Sequence, residues 1–370
     1  MRIGMTCYPS VGGSGILASA LGEELARRGH EVHFISYERP VRLSKEVQGI
    51  HFHPVVINDY GLFKYPDYTL PLSVKMAEVA RVHRLEILHV HYAVPHATAA
   101  VLARSMLAAE IAPRIVTTLH GTDTTLLGRD PGYAPAIRHA LLSSDAVTTV
   151  SDFLRTETQR LLDFPGPIKV IHNFFTPHVA RRSREEVRRE LGVGDECLLL
   201  HCSNLRPLKR VDVLLQAVAL LRQPFRLLVL AGGDFSPYQN LVQELRLGER
   251  VSVVKKPEDV EDYLNAADIG VTTSDTESFC LSILEAMYFA CPSVASRVGG
   301  IPEVIEEGSS GLLFPAGDAL ALAAQLDGLM ADEPLRRRLG QAGQQRANRF
   351  FSREVIVPQY EGLYRSLLLS

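Results

Sequence analysis

Two acidic residues bracket a predicted helix start in residues 274–287, which read S-D-T-E-S-F-C-L-S-I-L-E-A-M. Apolar residues at helical spacing predict that the helix begins near Phe279 or Cys280. Glu277 would then lie in the loop and Glu285 inside the helix. The N–H groups of a helix start favour an anion such as a diphosphate, and carboxylates accept hydrogen bonds from hydroxyls, so the segment predicts a nucleotide-sugar site. Taken alone, this spacing more often marks a capped helix with solvated acids.

A glycine-rich loop joins the first predicted strand to the first predicted helix. Its residues 13–18 match G-x-G-x-x-A, beginning with Gly13 and Ser14, and glycine lets the backbone approach a phosphate closely. Glu38, after the second predicted strand, could serve as the acid that binds a ribose in dinucleotide-binding folds. However, residues 8–12 separate the strand from the first motif glycine, whereas the dinucleotide turn is tight. The loop therefore gives only weak support to a nicotinamide-dependent oxidoreductase.

A basic turn, S-N-L-R-P-L-K-R, follows the first predicted strand of the second half. Within it, Arg206 and Lys209 could neutralise a diphosphate, Arg206 as a bidentate fork and Lys209 as a point charge. By itself the turn is equally well explained as a basic surface loop. Residues 254–257, which include Lys255, end another strand and could offer backbone hydrogen bonds to a base.

Histidines follow two predicted strands of the first half. His120 opens the sequence H-G-T-D, and H-V-H-Y places His89 and His91 on one face of a strand end. A metal pair there is conceivable, but no carboxylate-rich motif accompanies it. The chain also has no D-x-D sequence, the usual carboxylate pair for a divalent ion at nucleotide phosphates. We therefore expect no metal, with the charge of a leaving diphosphate met by arginine, lysine and helix starts.

The composition is that of an ordinary soluble protein of more than one domain. The chain has 370 residues, 46% hydrophobic and 22% charged, with a net charge of -3, which gives no basic field for nucleic acid. Its five cysteines are scattered and show no C-x-x-C spacing, so reduced thiols are expected rather than disulfides or zinc sites. No apolar run is long enough to span a membrane, and the chain start is typical of a strand rather than a signal peptide. These features predict a cytoplasmic protein.

Short apolar runs alternate with helical patterns, which predicts two mostly parallel, doubly wound α/β halves. We expect domains at residues 1–167 and 168–350, facing each other across a cleft, and a final helix within residues 351–370. The predicted strands are residues 2–7, 31–37, 50–56, 87–91, 114–119 and 146–150 in the first half, and 197–202, 225–231, 251–255, 269–273, 293–296 and 311–314 in the second.

In their joint order, five segments resemble the family-four retaining glycosyltransferases of GT-B fold. They are the glycine loop, H-G-T-D, the basic turn, E-S-F-C-L-S-I-L-E-A-M and G-G-I-P-E-V. The resemblance covers essentially the whole chain and implies two Rossmann-like domains, with the last helix returning to the first domain. Further segments, including F-K-Y-P and H-Y-A-V-P-H-A, are similar to the subgroup that opens bacillithiol biosynthesis. Its members transfer N-acetylglucosamine from UDP-GlcNAc to the hydroxyl of L-malate, with retention and without a metal or other cofactor.

The resemblance implies roles for the donor residues. Glu277 would hold hydroxyls of the donor sugar, and Glu285 the ribose diol. Arg206 and Lys209 would stabilise charge on the departing diphosphate, and His120 would contact and position the donor sugar. The remaining residues of the implied donor site are Gly13, Ser14, Asn204, Lys255, Phe279, Cys280 and Leu281.

Malate carries two carboxylates, so its site needs cations and hydrogen-bond donors on the first domain. Positions that match the family pattern there are Lys64, Tyr92, Thr118, Gly121 and Arg138.

Two residues depart from the wider family. Cys280 stands where Gly is usual in E-x-F-G, which puts a side chain where backbone approaches the donor, and Asn204 stands where Arg is usual, with Arg206 two residues further on. Three alternatives remain open: the same fold with another acceptor, such as another hydroxy acid, an inositol phosphate or a glycan; the oxidoreductase; and a non-catalytic nucleotide-sugar sensor. Self-association is also conceivable.

Overall fold

The computed structural model describes residues 1–9, 13–57, 67–176, 179–257 and 259–369. The chain folds into two compact units. The first unit comprises Met1–Phe174 together with Arg353–Ser370, and the second unit comprises Phe175–Ser352. Each unit is a parallel sheet with helices packed on its faces, which confirms the predicted α/β class.

The first unit is built on a seven-stranded sheet in which every pair of neighbours is parallel. Its order along the sheet is the third, second, first, fourth, fifth, sixth and seventh strand. The strands are β1 (Arg2–Thr6), β2 (Glu31–Ser36), β3 (Ile50–Pro54), β4 (Ile87–His91), β5 (Arg114–Leu119), β6 (Ala146–Thr149) and β7 (Ile168–Val170). Its helices are α1 (Gly13–Arg27), α2 (Thr69–His83), α3 (Thr98–Ser105), α4 (Ala134–Leu142) and α5 (Asp152–Leu162), together with the C-terminal helix (Arg353–Leu369).

Strand β7 lies in a segment that the sequence analysis assigned to the second domain. Val147 of β6 pairs with Ile168, so the first sheet continues past the expected boundary at residue 167. Phe174 is buried with the core of the first unit, which extends to that residue. Three residues are too few for the alternation that reveals a strand in a sequence, which explains why β7 was missed.

The C-terminal helix belongs to the first unit, as expected for this fold. Its apolar side chains, Ile356 and Val357 among them, are buried in the core beside residues of β1 and α1. Tyr364 is fully buried, and its hydroxyl lies 2.7 Å from Nδ1 of His89 on β4. The last helix therefore completes the packing of the first sheet.

The second unit contains a six-stranded parallel sheet. The strands are β8 (Cys197–Ser203), β9 (Phe225–Ala231), β10 (Val251–Lys255), β11 (Ile269–Thr272), β12 (Ser293–Ser296) and β13 (Gly311–Phe314). The helices are α6 (Arg184–Glu190), α7 (Val211–Ala219), α8 (Gln239–Glu244), α9 (Val260–Ala266), α10 (Leu281–Tyr288), α11 (Ile301–Val304), α12 (Ala319–Ala331) and α13 (Glu333–Phe350).

Both sheets have the same topology. In each, the first strand is central, the second and third follow on one side, and the fourth begins the other side. The order therefore reverses between β1 and β4 in the first unit and between β8 and β11 in the second. Ligands of open α/β sheets bind beyond the carboxyl ends of the strands at such reversals. No helix among the described residues is long and apolar enough to cross a bilayer.

Candidate active site

The basic turn after β8 brings Lys209 against Glu277 in the second unit. The Lys209 ammonium lies 2.5 Å from Oε1 of Glu277, and the hydroxyl of Ser274 donates to the same oxygen at 2.7 Å. Only 18% of the Lys209 side chain and 12% of the Glu277 side chain are exposed. Burial disfavours the charged ammonium, but the adjacent Glu277 carboxylate outweighs it and raises the pKa of Lys209. The pair is therefore a partly buried ion pair at neutral pH.

Backbone contacts tie the turn after β8 to the loop after β11. The hydroxyl of Thr273 donates to the Lys209 carbonyl at 2.9 Å, and the Asp275 amide donates to the Leu208 carbonyl at 2.8 Å. Arg210 adds an ion pair to Asp275 at 3.0 Å and a second one to Asp212. These bonds fix the Lys209 backbone relative to the Glu277 loop, a positioning role of Arg210 that the sequence did not reveal.

The G-G-I-P turn supports Glu277 from the other side. Gly299 has a φ of 55°, and a Cβ added there would lie 1.9 Å from the Glu277 carbonyl oxygen. The next amide, that of Gly300, donates to the same carbonyl at 2.9 Å. Only glycine permits this approach, so Gly299 is a positioning residue for the Glu277 loop.

Helix α10 begins at Leu281, next to the predicted start. Its N-cap, Cys280, has φ 77° and ψ 82°, a left-handed conformation that favours glycine. The requirement for this backbone geometry explains why a glycine suits the position. The Cys280 side chain is buried, and burial raises the pKa of the thiol to about 12. It is therefore an unreactive thiol at neutral pH rather than a nucleophile.

The other predicted donor residues of the second unit differ in how deeply they are buried. Phe279 is buried and packs edge-on against the Phe351 ring, with centroids 5.5 Å apart. Glu285 lies on α10 and is partly buried. Exposed side chains in the set are Asn204 and Arg206 after β8 and Lys255 at the end of β10.

A surface cavity of about 460 Å³ lies beside Lys255. It is lined by residues of β10 and α8 and by the segment between β9 and α8, which includes Asp234 and Phe235. Apart from the strand end at Lys255, no pattern in the sequence indicates this cavity.

In the first unit, the predicted residues after β4 and β5 come together. Nδ1 of His91 lies 2.8 Å from Nε2 of His120, and the Tyr92 ring lies 5.3 Å from the His120 ring. Burial, with a smaller effect of His96, lowers the pKa of His120 to about 3. His120 is therefore neutral at neutral pH, so it offers a hydrogen bond rather than a positive charge.

Asp123 joins the two strand-end turns. Its Oδ1 accepts from the Gly121 amide at 3.0 Å and its Oδ2 from the Ala93 amide at 3.2 Å. The side chain is fully buried, and burial raises its pKa to about 6. The H-G-T-D segment thus carries a positioning carboxylate, Asp123, as well as His120. The contact of Asp123 with the Ala93 amide, thirty residues earlier, could not be predicted from the sequence.

Thr118 and His89 are fully buried side chains of the first sheet. The Thr118 hydroxyl is 2.7 Å from Nε2 of His89 and 2.6 Å from the Thr148 hydroxyl. The other ring nitrogen of His89 contacts Tyr364, so both nitrogens have hydrogen-bond partners and the ring is not arranged as a metal ligand. Thr118 is fully buried, so the geometry gives it a supporting role inside the first unit.

The remaining predicted positions are spread over the first unit. Gly13 and Ser14 open α1, next to residues outside the described part of the chain. Arg138 lies on α4, where its Nε donates to the Asp163 carbonyl at 3.2 Å. Lys64 lies outside the described residues and stays a prediction.

Known proteins resemble the chain over its full length. The family model described as "Glycosyltransferase Family 4" matches residues 11–179, and "Glycosyl transferases group 1" matches residues 183–346. The N-acetyl-alpha-D-glucosaminyl L-malate synthase of Bacillus anthracis is 43% identical over 373 residues, covering 100% of this chain and 97% of that protein. The D-inositol 3-phosphate glycosyltransferase of Corynebacterium efficiens is 37% identical over 196 residues, covering 50% of this chain and 46% of that protein.

Solved structures share the fold. Sucrose-phosphate synthase from Thermosynechococcus elongatus matches with a TM-score of 0.82 at 23% identity, covering 100% of this chain and 99% of that one. At this identity the likeness supports the fold alone. Taken with the 43% identity along the entire chain and the two family matches, it shows that the chain belongs to the family-four glycosyltransferases of GT-B fold.

Proposed function

We propose that this enzyme transfers N-acetylglucosamine from UDP-GlcNAc to the hydroxyl of L-malate, with retention at the anomeric carbon. The observation that carries the proposal is the full-length 43% identity to the Bacillus anthracis enzyme, whose name states both the sugar and the acceptor. The product, GlcNAc-malate, is the first intermediate of bacillithiol biosynthesis. We further propose that the reaction takes place in the cytoplasm without a metal ion or other cofactor.

The ion pair of the second unit supports the donor half of the proposal. Within the described part of the chain, both contacts of the Glu277 carboxylate, to Lys209 and to Ser274, fall on Oε1, which leaves Oε2 to accept a bond from a sugar hydroxyl. Lys209 is charged and nearly buried, so it stabilises a departing diphosphate more strongly than a solvated lysine would. Arg206, exposed on the same turn, supplies a second cation, and Glu285 holds the ribose diol.

The first unit supplies the acceptor half. His120, Tyr92 and Gly121 cluster at the ends of β4 and β5, and the neutral His120 positions the donor sugar beside the acceptor. Arg138 and Lys64 would neutralise the two malate carboxylates.

The proposed reaction needs no protein nucleophile. The bond between the anomeric carbon and the diphosphate oxygen breaks, and a bond to the malate hydroxyl oxygen forms on the same face of the sugar. The hydroxyl proton passes to the departing phosphate. Lys209 and Arg206 lower the energy of this step because they face the charge that develops on the leaving group.

A coupled assay tests the proposal. Purified protein, UDP-GlcNAc and L-malate are incubated with a chelator, and UDP and GlcNAc-malate are measured. We expect malate-dependent release of UDP, with one GlcNAc-malate formed for each UDP. Absence of UDP release with malate and with other dicarboxylates would overturn the proposal, and loss of activity with the chelator would refute metal independence.

Another acceptor is the second candidate. The partial similarity to an inositol phosphate glycosyltransferase favours a phosphorylated polyol as the rival. Offering D-inositol 3-phosphate in place of malate in the same assay separates the two. The oxidoreductase hypothesis is superseded by the family assignment, since it rested on a weak glycine pattern alone.

A further inference from the structure

Polar side chains gather on one face at the edge of the first sheet. Glu31 and His33 alternate along β2, and His51 and His53 alternate along the edge strand β3. Alternate residues of a strand point to the same face, and the register pairs His33 with His51. The four side chains therefore lie together on one side of the sheet.

Helix α2 adds a third imidazole to His33 and His53. The helix ends at His83, whose ring centroid lies 4.4 Å from that of His33 and 5.1 Å from that of His53. Each of these three residues offers a nitrogen, and the three nitrogens lie within 4.8 Å of one another. The closest pair, Nδ1 of His33 and Nε2 of His53, is 3.0 Å apart.

The separation between the His33 and His53 nitrogens is close to that of two ligands of one metal ion, and the His83 nitrogen lies within 4.8 Å of both. Zinc–nitrogen bonds of about 2.0–2.1 Å place the ligands of a tetrahedral ion about 3.3 Å apart, so small side-chain rotations would complete the geometry. His33 is fully buried, whereas His53 and His83 are partly exposed and give an ion access from solvent. Three protein ligands leave a fourth position for water.

Glu31 lies behind the cluster as an outer partner. Its Oε1 is 3.2 Å from Nε2 of His33 and 3.4 Å from Nε2 of His51. Among the described residues, Nε2 of His33 is a buried nitrogen without a hydrogen-bond partner, although the Glu31 carboxylate is this close. A small rotation would let the carboxylate accept from it, which fixes the tautomer and leaves the other nitrogen for the ion, as outer carboxylates do at metal sites.

We propose that His33, His53 and His83 form a binding site for a borderline transition-metal ion such as Zn²⁺, with Glu31 orienting His33. An all-imidazole ligand set favours this class of ion over Mg²⁺ or Ca²⁺, which prefer oxygen ligands. The ion joins the edge strand β3 to β2 and the end of α2, so it stabilises the edge of the first sheet. It has no part in sugar transfer, since His120 and Tyr92 follow other strands of the sheet.

Metal titrations of the full-length, tag-free protein after chelator treatment and dialysis test the site. Zn²⁺ binding is measured by calorimetry, and Co²⁺ serves as a visible-absorption probe of tetrahedral geometry. We expect one ion per chain and a higher thermal unfolding midpoint with Zn²⁺. His53→Gln and His83→Gln should each weaken binding by more than about tenfold, and Glu31→Gln by about 10- to 100-fold. The control is His139→Gln, an exposed histidine on α4, which should bind as the wild type does.

Two results would overturn the proposal: less than one Zn²⁺ bound per chain at micromolar concentration, or equal binding by wild type and the His53→Gln/His83→Gln double variant. His33 is left unchanged because its burial makes a folding defect the expected result of substitution. Circular dichroism and UDP release establish that each variant is folded. Since neither His53 nor His83 lies in the transferase site, UDP release should be retained.

Discussion

Lys209 and Glu277 form a partly buried ion pair, with their charged atoms 2.5 Å apart, although 68 residues separate them in the chain. Removing either partner leaves an uncompensated charge in a site with little solvent. The pair therefore links the basic turn after β8 to the loop that precedes α10.

Replacement of Lys209 tests its role at the leaving group. Lys209→Ala should lower kcat/KM by about 10²–10³, equivalent to about 2.7–4 kcal/mol, a typical loss for one electrostatic donor. Lys169→Ala, an exposed lysine on β7, is the control and should be neutral. Steady-state UDP release gives the values. A Lys209→Ala variant with unchanged turnover but weaker UDP binding would contradict the catalytic role, and a wild type without turnover would favour the sensor alternative.

Substitution of Gly299 should damage the Glu277 loop. In Gly299→Ala the new methyl group collides with the Glu277 carbonyl, so both the free energy of unfolding and kcat should fall. Gly308→Ala is the matched control, because Gly308 also has a positive φ, 73°, but nothing lies within 4 Å of its would-be Cβ. In this control the free energy of unfolding should fall by only about 1–2 kcal/mol, the cost of placing alanine in a left-handed conformation. Urea unfolding of both variants measures the two losses of unfolding free energy. Equal losses would mean that the collision with the Glu277 carbonyl has no effect on stability.

At Cys280, glycine should be a more stabilising replacement than alanine, the reverse of the usual order. At φ 77° we expect Cys280→Gly to be more stable than Cys280→Ala by about 1 kcal/mol, because alanine retains the left-handed strain. At Cys202 in strand β8 the order should be the ordinary one, with alanine more stable than glycine by about 0.5–1 kcal/mol. Thermal unfolding of the four variants measures both differences. If alanine were more stable than glycine at both sites, the left-handed backbone of Cys280 would not be strained.

Buried histidines should make the protein sensitive to acid. Burial lowers the pKa of His89 to about 3 and those of His96 and His201 to about 4. Between these values and the ordinary 6.5, the unfolded chain binds more protons than the folded chain, so stability falls as the pH drops below about 6.5. Asp123 acts in the opposite direction, since its raised pKa of about 6 favours the folded state in acid, but it is outnumbered. Unfolding midpoints between pH 7 and pH 5 test the slope, and a flat profile would disprove it.

Arg138 should affect the acceptor and not the donor. Arg138→Ala should raise KM for L-malate at least about tenfold, the equivalent of one lost charge-assisted contact, and leave KM for UDP-GlcNAc unchanged. Arg160→Ala on α5 is a surface control in the same unit. A parallel rise in both KM values would show that Arg138 acts through the fold rather than on malate.

The sequence predicted the elements well because its apolar periodicities are regular. The start of α10 was predicted within two residues, and most strand ends within one. β7 was missed because it is short, and the left-handed backbone of Cys280 was missed because a cysteine, unlike a glycine, does not indicate a positive φ. Asp123 and the His33 cluster depend on pairing between distant strands, which spacing alone does not reveal. The roles assigned to Lys64, Arg138 and the other site residues stay predictions.

The return of the C-terminal helix to the first unit has a consequence for synthesis. Tyr364 and its neighbours fill the core that β1, β2 and α1 begin to build, so that core stays incomplete until the helix Arg353–Leu369 has been synthesised. The second unit, encoded entirely in between, can complete its own core earlier. Of the two units, the one whose first strands are synthesised earlier is therefore the one that finishes folding later.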